Sequence, residues 1–241
     1  MASLPPIVLC DFEADPGVDG YVSYSPFVLE VDRALRLSKL PYRHERIPYQ
    51  KIKALNPTGQ LPALKIGDET VSDSTRILLR IEELAPGSMS AGLDPRALAE
   101  AWLWEEFSDT ALYPHALATR WFDDRGWHVP RKAFFGAMPP ILRDVIARVV
   151  RNKTIKSLIA RDFIRAGAAS YEQRLFRVLD WLELRAPEQG FWMGAKPSVA
   201  DLGLFAHLHQ MRFPGHAYRA EDIAQRKRLS AWLDRVDQAT R

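Results

Sequence analysis

The sequence predicts an α/β first half followed by an all-helical second half. Three observations carry that fold class. Short apolar runs alternate with helical spacing through the first 85 residues, whereas from Pro95 onward the apolar spacing is helical and no stretch reads as a strand. Between the halves, Ala85-Pro86-Gly87-Ser88-Met89-Ser90-Ala91-Gly92-Leu93-Asp94 is small, polar and turn-rich, as a linker between domains is. The expected division is therefore 1–85, a linker at 86–94, and 95–241.

Ile7-Val8-Leu9-Cys10 is an apolar run typical of a strand covered on both faces. Phe27, Val31, Ala34 and Leu35 recur at helical spacing, with Pro26 in the first turn, where a missing N–H costs nothing. Pro41-Tyr42 stops that helix and opens a second strand through Ile47, and a short helix follows. Asn56-Pro57-Thr58-Gly59 is a turn. Leu61 to Ile66, Gly67-Asp68 and Glu69 to Val71 read as a hairpin. Ile77, Leu78, Ile81 and Leu84 then share a helix face that Pro86-Gly87 ends. The order is β-α-β-(short helix)-β-β-α. In the second half, one helix starts at Pro95 and runs toward Tyr113. Others cover roughly 140–165 and 168–185, open at Pro197 to Asp201, and close the chain on Leu229, Trp232, Leu233 and Val236.

Composition excludes several classes. With 241 residues, 47% apolar, the chain buries a sizeable core and is neither disordered nor low-complexity. A net charge of +3 is too mild to argue for nucleic acid. The run from Arg143 to Arg165 is basic, which reads as a solvated helix face. No stretch approaches the length of a membrane span, and the first residues lack the basic start of a signal peptide, so a cytoplasmic location is expected. A lone cysteine, Cys10, precludes an intrachain disulfide or a multi-thiolate metal site, and the six histidines form no ligand set. No metal is expected.

Several motifs now fall into one pattern. Ser25-Pro26-Phe27 opens the first helix, Asn56 to Leu64 leads into the third strand, and Val71-Ser72-Asp73-Ser74-Thr75-Arg76-Ile77 opens the helix after the hairpin. Phe191-Trp192-Met193-Gly194 precedes Pro197-Ser198-Val199-Ala200-Asp201. In this order the chain resembles the glutathione transferase superfamily, a thioredoxin-like N-terminal domain followed by an all-α domain. Ser25-Pro26-Phe27, Leu40-Pro41-Tyr42 and Asp73-Ser74 also resemble the metaxin and failed-axon-connections branch, whose members are not all known as glutathione-dependent enzymes.

The resemblance implies glutathione as co-substrate and gives each motif a role. Pro62 would be cis, leaving the Leu61 backbone to pair with the cysteinyl part of glutathione like an added strand. Ser72 or Asp73 would cap the helix whose N-terminus, with Ser74, takes the γ-glutamyl carboxylate, Asp73 lying near the ammonium. Ser25 stands where related redox members carry cysteine. A hydroxyl forms no mixed disulfide but donates a hydrogen bond to the glutathione sulfur. One such bond of about 1.5–3 kcal/mol, with a helix N-terminus, lowers a thiol pKa near 8.5 by about one to two units. Tyr24 and Ser23 compete for that role. The loop from Glu13 to Tyr24 is longer than the family's usual connection and is expected either to fold over the site or to displace the serine. Lys51, with Gln50 and Lys53, lies near where the glycyl carboxylate is gripped, and Gln60 near the same groove. Aromatics from Trp102 and Trp104 through Tyr113 and Trp121 to Phe134 supply core and one or two walls of an apolar electrophile pocket. Ser198-x-x-Asp201 is a capping box with a folding role. A homodimer, with each N-terminal domain against the partner's helical domain, is implied, as is conjugation of a hydrophobic electrophile. The rival expectation is a non-catalytic binding module on the same fold.

Overall fold

The computed structural model describes residues 4–241. Strand β1 (Ile7–Phe12) is buried along almost its whole length, as an unbroken apolar run requires. It pairs in parallel with β2 (Tyr42–Ile47), and antiparallel with β3 (Ala63–Ile66), which continues antiparallel into β4 (Glu69–Ser72). The sheet order is β2-β1-β3-β4. Helix α1 (Pro26–Leu37) is the crossover between the parallel strands, α2 (Tyr49–Leu55) precedes the turn at Asn56, and α3 (Ser74–Leu84) follows the hairpin. This is the thioredoxin-like arrangement expected of the first half. The residues after Leu84 are not loose: the Glu82 carboxylate accepts hydrogen bonds from Gly87 N–H, Met89 N–H and Ser88 Oγ–H.

Everything after the linker is helical among the described residues: α4 (Pro95–Phe107), α5 (Tyr113–Trp121), α6 (His128–Phe135), α7 (Pro140–Ala160), α8 (Ala168–Arg185), α9 (Val199–Met211), α10 (Ala217–Ala224) and α11 (Lys227–Thr240). Three details differ from the sequence reading. The helix from Pro95 does not stop near Tyr113: it widens into a π-helical turn at Ser108–Leu112 and continues as α5. Pro114 explains the widening, because its ring excludes the carbonyl four residues back and offers no N–H to it. Helix α7 ends at Ala160 rather than near Arg165. Asp162 takes a left-handed conformation (φ 55°) and Phe163 N–H donates to Leu158 O at 3.0 Å, closing the helix end. The sequence reading assigns no helix at α6 or α10, each a short segment next to a proline-bearing turn.

Helix α9 is buried at every position and forms the spine of the molecule, packing against α1, α4 and α11. Asp201 fixes its N-terminus. Its carboxylate accepts from Trp192 N–H (2.7 Å), Ser198 N–H (2.9 Å), Ser198 Oγ–H (2.9 Å) and Trp232 Nε1–H (3.0 Å). The capping box thus also ties the Trp192 segment and α11 to α9. Between the first half and the last helix, the buried Arg33 of α1 donates to Asp237 Oδ1 (2.7 Å) and Asp237 O (3.1 Å) at the end of α11. Among the described residues no helix is long and apolar enough to cross a membrane.

Candidate functional site

Strand register gathers the motifs. Cys10 of β1 lies opposite Ala63 of β3, and Ala63 opposite Ser72 of β4. The chain leaving β1 toward Ser25, the Leu61-Pro62 pair entering β3, and the Asp73-Ser74 pair leaving β4 therefore meet at one end of the sheet. The Leu61–Pro62 peptide bond is cis. Leu61 is buried just ahead of the ladder.

Ser25 is the N-cap of α1: its Oγ accepts from Val28 N–H at 3.4 Å, and its own N–H donates to Ser23 Oγ at 3.0 Å. It is half-buried, and its hydroxyl proton has no acceptor among the described residues. Ser23 is buried and spends its hydroxyl on Asp11 Oδ1 at 2.7 Å. Tyr24 packs against Phe134 and Phe213, and burial raises its phenol above the ordinary value. Of the three hydroxyls, Ser25 alone combines an uncommitted proton with a helix N-terminus. The long preceding loop is held by contacts of its own. Arg46 donates to Ala14 O (3.0 Å) and Val22 O (3.2 Å), Gln210 donates to Ser23 O (2.7 Å), and Tyr21 stacks on His209 at 4.1 Å. These contacts pin the loop to β2 and α9. Arg120 of α5, buried and overlooked in the sequence, donates to Tyr24 O and so brings a guanidinium to within one residue of Ser25.

Asp73 caps α3, its carboxylate accepting from Arg76 N–H at 3.2 Å, with its backbone in the left-handed region (φ 83°). Ser74 is buried behind it, and its Oγ donates to Asp109 Oδ2 at 3.5 Å. Behind Ser74 lies a group of acids that sequence reasoning missed: Glu30 of α1, Glu105 of α4 and Asp109 of the π turn. Burial, reinforced by the neighbouring acids, pushes Asp109 up to about 8 and Glu105 up to about 7, and holds Glu30 well above the carboxylate range. The only sequence signal was Glu105 and Asp109 four apart, a like-charged pair on one helix face.

The apolar walls near Ser25 come from both halves. Phe27 packs on Tyr113 (4.7 Å) and on His207 (5.2 Å), while Tyr24 packs on Phe134 (5.8 Å). Trp104, by contrast, packs against Phe107 and Trp192, away from those contacts. Lys51 and Gln60 are exposed, and Lys51 makes no ion pair among the described residues.

Comparison with known proteins identifies the family. The glutathione S-transferase N-terminal domain family matches residues 26–126, and the glutathione S-transferase C-terminal domain family matches residues 153–235. The protein LigF of Sphingobium sp. strain SYK-6 is 25% identical over 201 residues, covering 77% of this chain and 72% of that protein. Its crystal structure, described as a beta-etherase, superposes with a TM-score of 0.61 over 96% of this chain and 94% of that one, at 19% identity. A glutathione S-transferase from Xylella fastidiosa gives a TM-score of 0.61 at 20% identity, covering 97% of this chain and 96% of that one. A glutathione transferase homologue from Sulfitobacter with bound glutathione gives 0.59 at 16% identity, covering 95% and 91%. The two domain families follow one another along the chain in the order that the fold requires, and the chain belongs to the glutathione S-transferase superfamily.

Proposed function

We propose that the protein is a glutathione-dependent transferase that activates the glutathione thiol at Ser25 and adds it to a hydrophobic electrophile. The observation that carries this reading is the convergence of Ser25, Leu61-Pro62 and Asp73-Ser74 at one end of the sheet. In this reading the Leu61 backbone pairs with the cysteinyl unit, and the α3 N-terminus with Ser74 takes the γ-glutamyl carboxylate, Asp73 facing the ammonium. The exposed Lys51 and Gln60 border the glycyl end.

The Ser25 hydroxyl, free to donate, stabilises the thiolate over the thiol, and the α1 N-terminus and the nearby Arg120 guanidinium add positive potential. The thiolate then attacks an electrophilic carbon held against Phe27, Tyr113, Tyr24 and Phe134. A C–S bond forms, the bond to the leaving group breaks, and the leaving group departs with its electron pair. An aryl ether, whose C–O bond would break in this way, is the first electrophile to try given the beta-etherase among the similar structures. A cytoplasmic place of action fits a co-substrate used as a free thiol.

The same reading includes a homodimer. A groove of about 420 Å³ between α4 and α8 is lined by Leu103, Trp104, Phe107, Val178 and Trp181, and contains none of the residues gathered around Ser25. Leu103 and Trp181 are 69% and 64% exposed there, an apolar surface suited to a second copy. Light scattering of the protein and of Trp181→Glu tests this: a dimer that becomes monomeric is expected, and a wild-type monomer refutes it.

Calorimetric titration with glutathione, alongside thiolate absorbance against pH, tests the chemistry. Binding with a thiol pKa one to two units below that of free glutathione is expected. Binding with an unshifted thiol refutes activation, and no binding at millimolar glutathione would leave the fold as an interaction module.

A further inference from the structure

We propose that Glu30, Glu105, Asp109 and His207 form a binding site for one divalent transition-metal ion where α1, α4, the π turn and α9 meet. The site adjoins the proposed glutathione site through Ser74, whose Oγ–H reaches Asp109 Oδ2 at 3.5 Å. One oxygen from each of the three carboxylates lies within 4.8 Å of the others. Glu30 is fully buried, and neither of its oxygens has a hydrogen-bond partner among the described residues; nor does Asp109 Oδ1. His207 brings a second kind of ligand. It is fully buried, its Nε2 is unpartnered, and that nitrogen lies 3.8 Å from Asp109 Oδ1.

The imidazole is oriented for ligation. His207 Nδ1 is 3.0 Å from Gly203 O, and a carbonyl only accepts, so Nδ1 carries the proton and Nε2 presents its lone pair. His207 Nε2 thus faces Asp109 Oδ1, and Glu30 and Asp109 carry buried oxygens with no protein donor to receive them. No Lys or Arg pairs with any of the three carboxylates among the described residues, and Arg120 is committed to Tyr24 O and Ala116 O. Buried acceptors without donors are costly, and only protons or a cation relieve them.

Two further features favour the cation. The carboxylates are steadied from outside, Glu105 Oε1 by Thr75 Oγ–H at 2.7 Å and Asp109 Oδ2 by Ser74 Oγ–H at 3.5 Å, as outer partners of metal ligands are. Gly203 leaves the space open: a Cβ there would lie 3.1 Å from Glu30 Oε1 and 3.3 Å from Glu105 Cα. Three carboxylates with one imidazole suit Mn²⁺, Fe²⁺ or Zn²⁺. Ligands about 2.1 Å from one ion stand at most about 4.2 Å apart, so small rotamer shifts close the cage.

The test uses the full-length protein stripped with a chelator. Mn²⁺ is titrated and free ion is read by electron paramagnetic resonance; Zn²⁺ is titrated by calorimetry in two buffers of different ionisation enthalpy. One ion per chain, proton release on binding, and a raised melting temperature are expected. Glu30→Gln and Asp109→Asn, checked for folding by circular dichroism, should each weaken binding at least tenfold. Electron spin-echo modulation of bound Mn²⁺ should show the imidazole nitrogen of His207, a readout that needs no variant. Failure to bind one ion, bound Mn²⁺ without nitrogen coupling, or affinity unchanged in both variants would overturn the site and leave the cluster neutralised by protons alone.

Discussion

Helices α1 and α9 are each preceded by a serine at the N-cap, and they use it differently. At α9, Ser198 donates to Asp201, and Asp201 is surrounded by donors from Trp192, Ser198 and Trp232. At α1, Ser25 accepts from Val28 N–H and keeps its own proton uncommitted, while Glu30 one turn on is buried without any donor. Both regions bury polar groups against the same spine. The lesson is that burial by itself does not mark a site: a polar group with every partner inside the chain holds the fold, and one lacking a partner is available to something else.

The largest expected effect lies at the closed end. Asp201→Ala strands buried donors on Trp192, Ser198 and Trp232, each costing about 1–3 kcal/mol, so a loss of about 4 kcal/mol is expected, or roughly 10 °C or more in melting temperature. Glu30→Gln, by contrast, should leave the melting temperature of the chelator-stripped protein equal or higher at pH 8. A similar loss in both would break the comparison.

A pair of serine replacements sharpens it. Ser25→Ala should lower kcat/KM for conjugation about 10- to 100-fold and return the bound thiol pKa toward its free value, with under about 1 kcal/mol of stability lost. Ser198→Ala should do the reverse, costing about 1–2 kcal/mol with the thiol pKa unmoved.

Stability against pH separates the two regions next. Glu105 and Asp109, at about 7 and about 8, and Glu30 hold protons in the folded chain that an unfolded chain releases above about pH 4. Their contribution is full below that pH and is lost as pH rises toward 8, at about 1.4 kcal/mol per unit for each retained proton. Denaturant midpoints of the chelator-stripped protein from pH 5 to 8 should fall accordingly, and more shallowly in Glu30→Gln. The smallest effect belongs to Lys51→Ala: removing one exposed cation should raise the KM for glutathione about two- to threefold at low salt, as steady-state kinetics would show.

The backbone order was legible because its signals are local. The Ile7 to Cys10 run, the Gly67-Asp68 turn and the Ser198-x-x-Asp201 box each state their structure within a few residues. Ser25, Leu61-Pro62 and Asp73-Ser74 were legible as motifs, and strand register explains why they converge. The acid pocket was not. Glu30 sits in Glu30-Val31-Asp32-Arg33, which reads as a polar face, yet α1 is buried from Val28 to Leu35 because α9 covers the side away from the sheet. Arg120 was hidden in the same way, and the π turn depends on how Pro114 meets the preceding helix rather than on any periodicity.

That π turn has a consequence for how the chain tolerates change in length. A π turn is one residue absorbed by a helix without breaking it, and each residue of an α-helix turns the axis by about 100°. Upstream of it, Glu105 lies alongside α9; downstream, Tyr113 rests on Phe27. Deleting a residue between Ser108 and Leu112 would rotate one of those faces away from its partner, so the shortened chain could keep the acids toward α9 or the ring against Phe27, but not both.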